Sequence, residues 1–319
     1  MLPTILLLTG AAGVANAYTI VAGQTFMFKN IDPVVMPGEY KSHMHTFMGS
    51  DAVTLNTSTS AELRKGCTSA QSLNDQSVYW TPTLYYTGAG SDYTPLAPER
   101  FSAYYENIAE AEIAIPEDYK VVVGNAAGTT QADVDAAGTT AEWFCEGDSA
   151  PASKEAAAFP TTTCSTHLQH ILRFHDCVNP SNISEHSYSG RQNLPNTNRC
   201  PTGQSRIPQL RFSIRYDLRK TISSGWSGAP PLTLACGSSF CAHGDFINGW
   251  DKTALVNMLN ATSKTEYMYI NGTLQTGSGG DPTCGPTDAD PNNGTNDYLK
   301  SVAMMAAKRM AKRAMSFFA

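Results

Sequence analysis

The segment QLRFSIRYDLR at 209–219 alternates apolar and polar residues with a period of two. Successive side chains of a strand point to opposite faces, so Leu210, Phe212, Ile214 and Tyr216 face inward while Arg211, Ser213 and Arg215 face outward. LQHILRF at 168–174 repeats the pattern, with Leu168, Leu172 and Phe174 on one face and Gln169, Ile171 and Arg173 on the other. Alternation of this kind marks half-buried antiparallel strands. The runs YTIVAG, VYWTPTLYYTG and YKVVVGN add short β-prone stretches between turn residues. The fold class expected is all-β, an antiparallel β-sandwich or jelly roll with long loops, one or two short helices and disulfides. KTALVNMLN at 252–260 is one candidate helix, with Asp251 as its cap, and the tail from about 300 is another. Residues 124–158, where AAGTT occurs twice, read as a low-complexity loop.

MLPTILLLTGAAGVANA at 1–17 is apolar and closes in the small-x-small form of a signal peptidase site, which predicts a signal peptide and a mature chain from Tyr18. Eight cysteines, Cys67, Cys145, Cys164, Cys177, Cys200, Cys236, Cys241 and Cys284, are an even set suited to an oxidised framework. Cys236 with Cys241 and Cys177 with Cys200 are the local pairings expected. No C-x₂-C pair supports a zinc site among them. Sequons stand at Asn56, Asn182, Asn260, Asn271 and Asn293. These features predict a secreted protein of the extracellular space. The expected organisation is one β-rich domain over 18–273, a Gly/Asp/Asn-rich linker over 274–299 and a basic amphipathic tail over 300–319. Contact of that tail with a membrane ranks below a solvated terminus. The net charge is −6, and subtracting the five basic residues of the last twenty leaves −11 for the rest, which argues against nucleic acid as a partner.

Four constellations carry candidate chemistry. His43-Met44-His45 places two imidazoles on one face of a strand, where both can converge on a metal or a substrate. His243-Gly244-Asp245 sets an imidazole beside a carboxylate, as a general base with its orienter or as two metal ligands. Asp75 precedes Tyr79 and Trp80, with Tyr85 and Tyr104 further on, and such rings stack on sugar faces. Arg173-Phe174-His175-Asp176, continuing to Glu185-His186, supplies further polar groups. There is no HExxH helix and no G-x-S-x-G elbow, and a mature chain starting at Tyr18 offers no N-terminal histidine.

In this order the motifs resemble a large secreted family of fungi, oomycetes and related organisms, catalogued as a domain of unknown function and often fused to WSC wall-binding domains. They are Asp32-Pro33-Val34-Val35, His43-Met44-His45, Cys67-Thr68, Asp75 to Trp80, Tyr104-Tyr105, Arg173-Phe174, Asp176-Cys177, His186, Cys200-Pro201 and His243 to Trp250. The resemblance spans roughly residues 28 to 260. Where the family usually shows Cys-Trp-Asp-Gly, this chain has His175-Asp176-Cys177-Val178, and it keeps one histidine, His186, where relatives carry two. The resemblance implies secretion, association with wall polysaccharide, and a polar centre built from His43, His45, Asp75, His186, His243 and Asp245.

The function expected is therefore a secreted protein acting on polysaccharide of the cell wall or extracellular matrix. In the enzymatic form, a glycoside hydrolase or polysaccharide lyase, Asp75 or Asp245 supplies acid/base chemistry. Tyr79, Trp80, Tyr85, Tyr104, Arg173 and Trp250 contact the glycan. Alternatives are a noncatalytic glycan-binding or wall-structural protein, and a metal-binding protein using His43, His45 and His243. A divalent metal ion is the candidate cofactor.

Overall fold

The computed structural model describes residues 18–88, 92–148, 155–190, 200–261 and 284–306. In chain order its first eight strands are β1 Thr19–Gly23, β2 Thr25–Lys29, β3 His45–Gly49, β4 Val78–Pro82, β5 Leu84–Thr87, β6 Tyr93–Leu96, β7 Arg100–Glu106 and β8 Lys120–Gly124. The remainder are β9 Ala141–Cys145, β10 Leu168–Arg173, β11 Cys177–Asn179, β12 Asn182–Ser187, β13 Ser205–Arg206, β14 Gln209–Tyr216, β15 Leu232–Leu234 and β16 His243–Ile247. Two five-stranded antiparallel sheets, ordered β1-β7-β14-β10-β9 and β2-β3-β4-β16-β8, make an all-β sandwich. Two three-stranded sheets, β12-β11-β13 and β15-β5-β6, flank it.

The core lies between the two larger sheets. Phe101, Ala103 and Tyr105 of β7 and Leu210, Phe212, Ile214 and Tyr216 of β14 bury their side chains against Met48, Tyr79, Val121, Val123 and Phe246 of the facing sheet. Tyr79 meets Phe101 at 5.3 Å and Phe212 at 5.8 Å between ring centroids. The inward set read from the period-two alternation of β14 is buried, and Ser213 on the opposite face, expected outward, is buried as well. On the opposite face of that strand Ser213 Oγ accepts from Gln169 of β10.

The outer face of the β2-β3-β4-β16-β8 sheet is not solvated. A second cluster covers it: Met27, Phe47, Val78, Trp80 and Ile247 from the strands pack with Ile31 from the β2–β3 connection and with Val53 and Leu63 from the β3–β4 connection. Across this face the register pairs His45 with Pro82, Phe47 with Trp80, and Asp245 with Trp80. Residues paired directly in antiparallel strands share a face. His45, His243 and Asp245 therefore point outward, away from the main core, into the layer formed by those two connections.

Helices among the described residues are short. α3, Lys252–Met258, occupies the expected position, and the Asp251 side chain accepts from the Ala254 amide at 2.9 Å. α1, Ser60–Leu63, and α2, Gln131–Ala136, start from capping boxes of Thr59 with Glu62 and Thr130 with Asp133. The 124–158 stretch is thus not one loop, since it holds α2 and the edge strand β9; a threonine with an acid three residues on satisfies the first free amides of a helix in both directions.

All eight cysteines are paired, Cys67–Cys284, Cys145–Cys164, Cys177–Cys200 and Cys236–Cys241, which includes both local pairings expected. Residues 284–299 differ from the linker reading, because they are fastened to the body. Cys284 is bonded to Cys67, Asp288 pairs with Lys29 at 2.8 Å, Asp290 accepts from Tyr40, and Asn30 bonds the backbone of Thr295. Helical residues 298–306 continue this strap, Tyr298 resting on Tyr85 and Tyr93. The expected signal peptide, Asn271 and residues 307–319 of the tail lie outside the described residues; Asn56, Asn182, Asn260 and Asn293 are exposed. No helix among the described residues is long and apolar enough to cross a membrane.

Candidate metal centre

His45 opens β3 and His243 opens β16, two strands flanking β4, so their imidazoles leave the sheet side by side. His43, two residues ahead of β3, lies with its ring centroid 4.2 Å from that of His45. The Nε2 atom of His243 is 3.1 Å from Nε2 of His43 and 3.4 Å from Nε2 of His45. His45 and His243 are fully buried, and His43 is half-buried.

The tautomers follow from the other ring nitrogens. His45 Nδ1 lies 2.9 Å from the carbonyl oxygen of Ile31, and His243 Nδ1 lies 2.8 Å from that of Cys241. A carbonyl only accepts, so both Nδ1 atoms carry protons and both Nε2 atoms present lone pairs. Two lone pairs then face each other at 3.4 Å with no proton to share. The Cys236–Cys241 disulfide closes the short loop that presents the Cys241 carbonyl.

Burial, followed by the neighbouring imidazoles of His45 and His243, holds His43 well below the ordinary imidazole range. His45 is lowered in the same way by burial and by His243. His243 is pushed down to about 4 by burial, which its bond to the Cys241 carbonyl only partly offsets. The cluster is therefore neutral, the form in which imidazole binds a metal.

Asp245 stands two residues along β16 from His243, with Oδ2 3.9 Å from His243 Nε2. It is 0% exposed, and neither carboxylate oxygen has a hydrogen-bond partner. Burial, and then the nearby charge of Asp32, raises its carboxyl well above the usual carboxylate range. Asp32 is itself buried, with Oδ1 accepting the amides of Val34 and Val35. Its sequence signal is an aspartate opening a turn before proline.

Other residues singled out from the sequence lie elsewhere. Asp75 belongs to the core side of the sheet. Its Oδ2 accepts from the Tyr79 hydroxyl, which lies 2.6 Å from that of Tyr105, and Trp250 Nε1 donates to Tyr105 at 2.8 Å. Burial raises the Asp75 carboxyl to about 6 against the opposing effect of Tyr79 and Ser77. Asp75 and Asp245 thus serve opposite faces of one sheet and do not flank a common bond. Tyr79, Trp80, Tyr85 and Trp250 are at most 1% exposed and pack the interior instead of offering rings to a sugar. Tyr104 and Arg173 sit on the outer face of the other sheet: Tyr104 stacks under the Arg211 guanidinium at 3.9 Å, and Arg173 Nε is 3.9 Å from Glu106. His186 pairs with His175, Nδ1 to Nδ1 at 2.7 Å.

The octet from His243 to Trp250 divides by face. His243 and Asp245 serve the centre, whereas a Cβ on Gly244 would meet Phe174, Leu172 and Phe212 within 2.8 to 3.1 Å on the core side. Phe246 enters the core, the Asn248 amide donates to the Pro116 carbonyl, and a Cβ on Gly249 would lie 2.2 Å from the Gln76 carbonyl oxygen.

Two further histidines predict how stability depends on pH. Burial, and then proximity to His243, lowers His170 to about 3, and burial with His186 lowers His175 to about 4, from an ordinary 6.5. Below pH 6.5 the unfolded chain binds protons that these folded-state sites refuse, so stability falls as pH is lowered from 6.5 towards 4. In chelator-treated protein the melting temperature is expected to drop steadily across that range. His170→Phe, which keeps the stack on Trp143 at 3.8 Å, is expected to flatten the slope. An unchanged slope in the variant would remove His170 from the account.

The family described as Domain of unknown function (DUF1996) matches residues 32–250. No curated protein and no solved structure matches the chain.

Proposed function

The chain belongs to the DUF1996 family, and we propose that it is a secreted metal-binding protein of the cell wall whose functional centre is His43, His45 and His243. The observation that carries this reading is the convergence of three Nε2 atoms, two of them with tautomers set by backbone carbonyls. With metal–nitrogen bonds of about 2.05 Å, separations of 3.1 and 3.4 Å correspond to angles of about 98° and 112° at a shared ion, on either side of tetrahedral. A carbonyl on the far nitrogen of a ligating histidine is the usual outer support of such a site. Zinc, copper, iron and nickel suit imidazole donors.

The four disulfides support an oxidising compartment. The motif resemblance, which implies association with wall polysaccharide, supports polysaccharide as the target. A hydrolase working through Asp75 paired with Asp245 is disfavoured by their separation onto two faces. A metal at the histidine centre instead supplies a Lewis acid or an activated water, with the imidazoles holding it and the loop from Ile31 shielding it.

Secreted protein is expected to retain close to one equivalent of a divalent transition metal by elemental analysis, to lose it to a chelator, and to regain it. On a panel of wall polysaccharides, soluble products that require the metal would establish an enzyme. Retention on insoluble glucan without products would establish a binding protein. Failure to take up any metal in titration would overturn the assignment of the centre.

A further inference from the structure

Resting on the three-histidine reading, we propose that Asp245 is the anionic fourth group of the centre, and that the site therefore takes a divalent ion accepting mixed nitrogen and oxygen donors, such as zinc, manganese or ferrous iron. The argument begins from a missing partner. Asp245 is 0% exposed and both its oxygens lack a hydrogen bond. Buried carboxylates are ordinarily paired, hydrogen-bonded or bound to metal. The neighbours do not supply the deficit. Asp32 is a like charge whose Oδ1 is committed to the Val34 and Val35 amides. Trp80, the cross-strand partner of Asp245, leaves its own indole Nε1 without an acceptor.

What does lie close is His243 Nε2, 3.9 Å from Oδ2, and that nitrogen is the one His43 and His45 approach at 3.1 and 3.4 Å. With an ion about 2.05 Å from His243 Nε2, an oxygen 3.9 Å from that nitrogen is placed to bond a water carried by the ion. Residue spacing enforces the arrangement, since positions 243 and 245 of one strand share a face and Gly244 between them turns to the core. A divalent ion with three neutral imidazoles and one carboxylate carries a single net positive charge in a buried site. Soft donors that favour cuprous copper are absent from this set.

The test compares zinc titrations of chelator-treated wild type, Asp245→Asn and His243→Ala with the melting temperature of each metal-free protein. Asp245→Asn is expected to weaken zinc roughly ten- to a hundredfold, the range for losing a carboxylate partner of a metal site. Metal-free Asp245→Asn is expected to melt no lower than wild type, because the substitution removes an unpaired buried carboxylate. Zinc affinity equal to wild type in Asp245→Asn, with binding lost in His243→Ala, would overturn the role of Asp245 and leave the histidine centre standing. A lower melting temperature or failure to fold in Asp245→Asn would make the carboxylate structural and also overturn the proposal. Absence of binding in the wild type would instead remove the histidine reading on which it rests.

Discussion

Substituting His243 by alanine is expected to weaken metal binding by well over a hundredfold while leaving the sandwich folded. The size follows from its place, since its Nε2 is the one common to both short contacts, at 3.1 Å to His43 and 3.4 Å to His45. Loss of an outer-sphere partner weakens a metal site about ten- to a hundredfold, and loss of a direct ligand should exceed that. The fold survives because Gly244 and Phe246, which face the core, are untouched. Calorimetric titration with circular dichroism on the same sample checks both parts. Affinity within a factor of three of wild type would mean that the three imidazoles do not act together.

Trp250→Ala is expected to produce the largest loss of stability. The indole is 0% exposed, donates to the Tyr105 hydroxyl at 2.8 Å and meets its ring edge-on at 5.5 Å. Removing a buried tryptophan costs about 3–5 kcal/mol. That is a large part of the roughly 5–15 kcal/mol that holds a domain together. The hydrogen-bond chain from Asp75 through Tyr79 to Tyr105 would also lose its terminal donor. A fall in the denaturant midpoint with an unchanged slope is the expected signature. A loss below about 1 kcal/mol would show that the cavity closes without penalty.

The sandwich was legible because β14 and β10 each expose one face's chemistry in alternation, and α3 because Asp251 precedes its apolar positions. The convergence of His43, His45 and His243 was only partly so. An i, i+2 spacing puts two imidazoles on one side of an extended segment, but nothing local joins residues 43 and 243, whose meeting depends on β3 and β16 both flanking β4. The aromatics misled for a related reason. Trp80 and Tyr79 alternate as they would on a strand with one wet face, yet Tyr79 faces the main core while the connections carrying Ile31, Val53 and Leu63 roof the outer face over Trp80, so both rings are interior. Periodicity reports which side a residue takes; it does not report what lies above that side. The separation of Asp75 from Asp245 was invisible on the same ground. The two capping boxes could have been read, since each is a threonine followed three positions later by an acid.

The strap from Cys284 also bears on the order in which the protein can be made. Lys29 is 3% exposed and finds its counter-charge in Asp288, 259 residues later, and Cys67 finds its partner 217 residues later. Until the ribosome has delivered the final segment, β2 holds a cation and the β3–β4 connection a thiol with nothing to answer them. A gene shortened to the boundaries of the family match, 32–250, would discard β1, β2 and the strap together. Such a chain would lose an edge strand from each of the two larger sheets and keep one odd thiol, open to mispairing as the chain folds. Production of this protein therefore has to reach at least from residue 18 to residue 306, well outside the span by which its relatives are recognised.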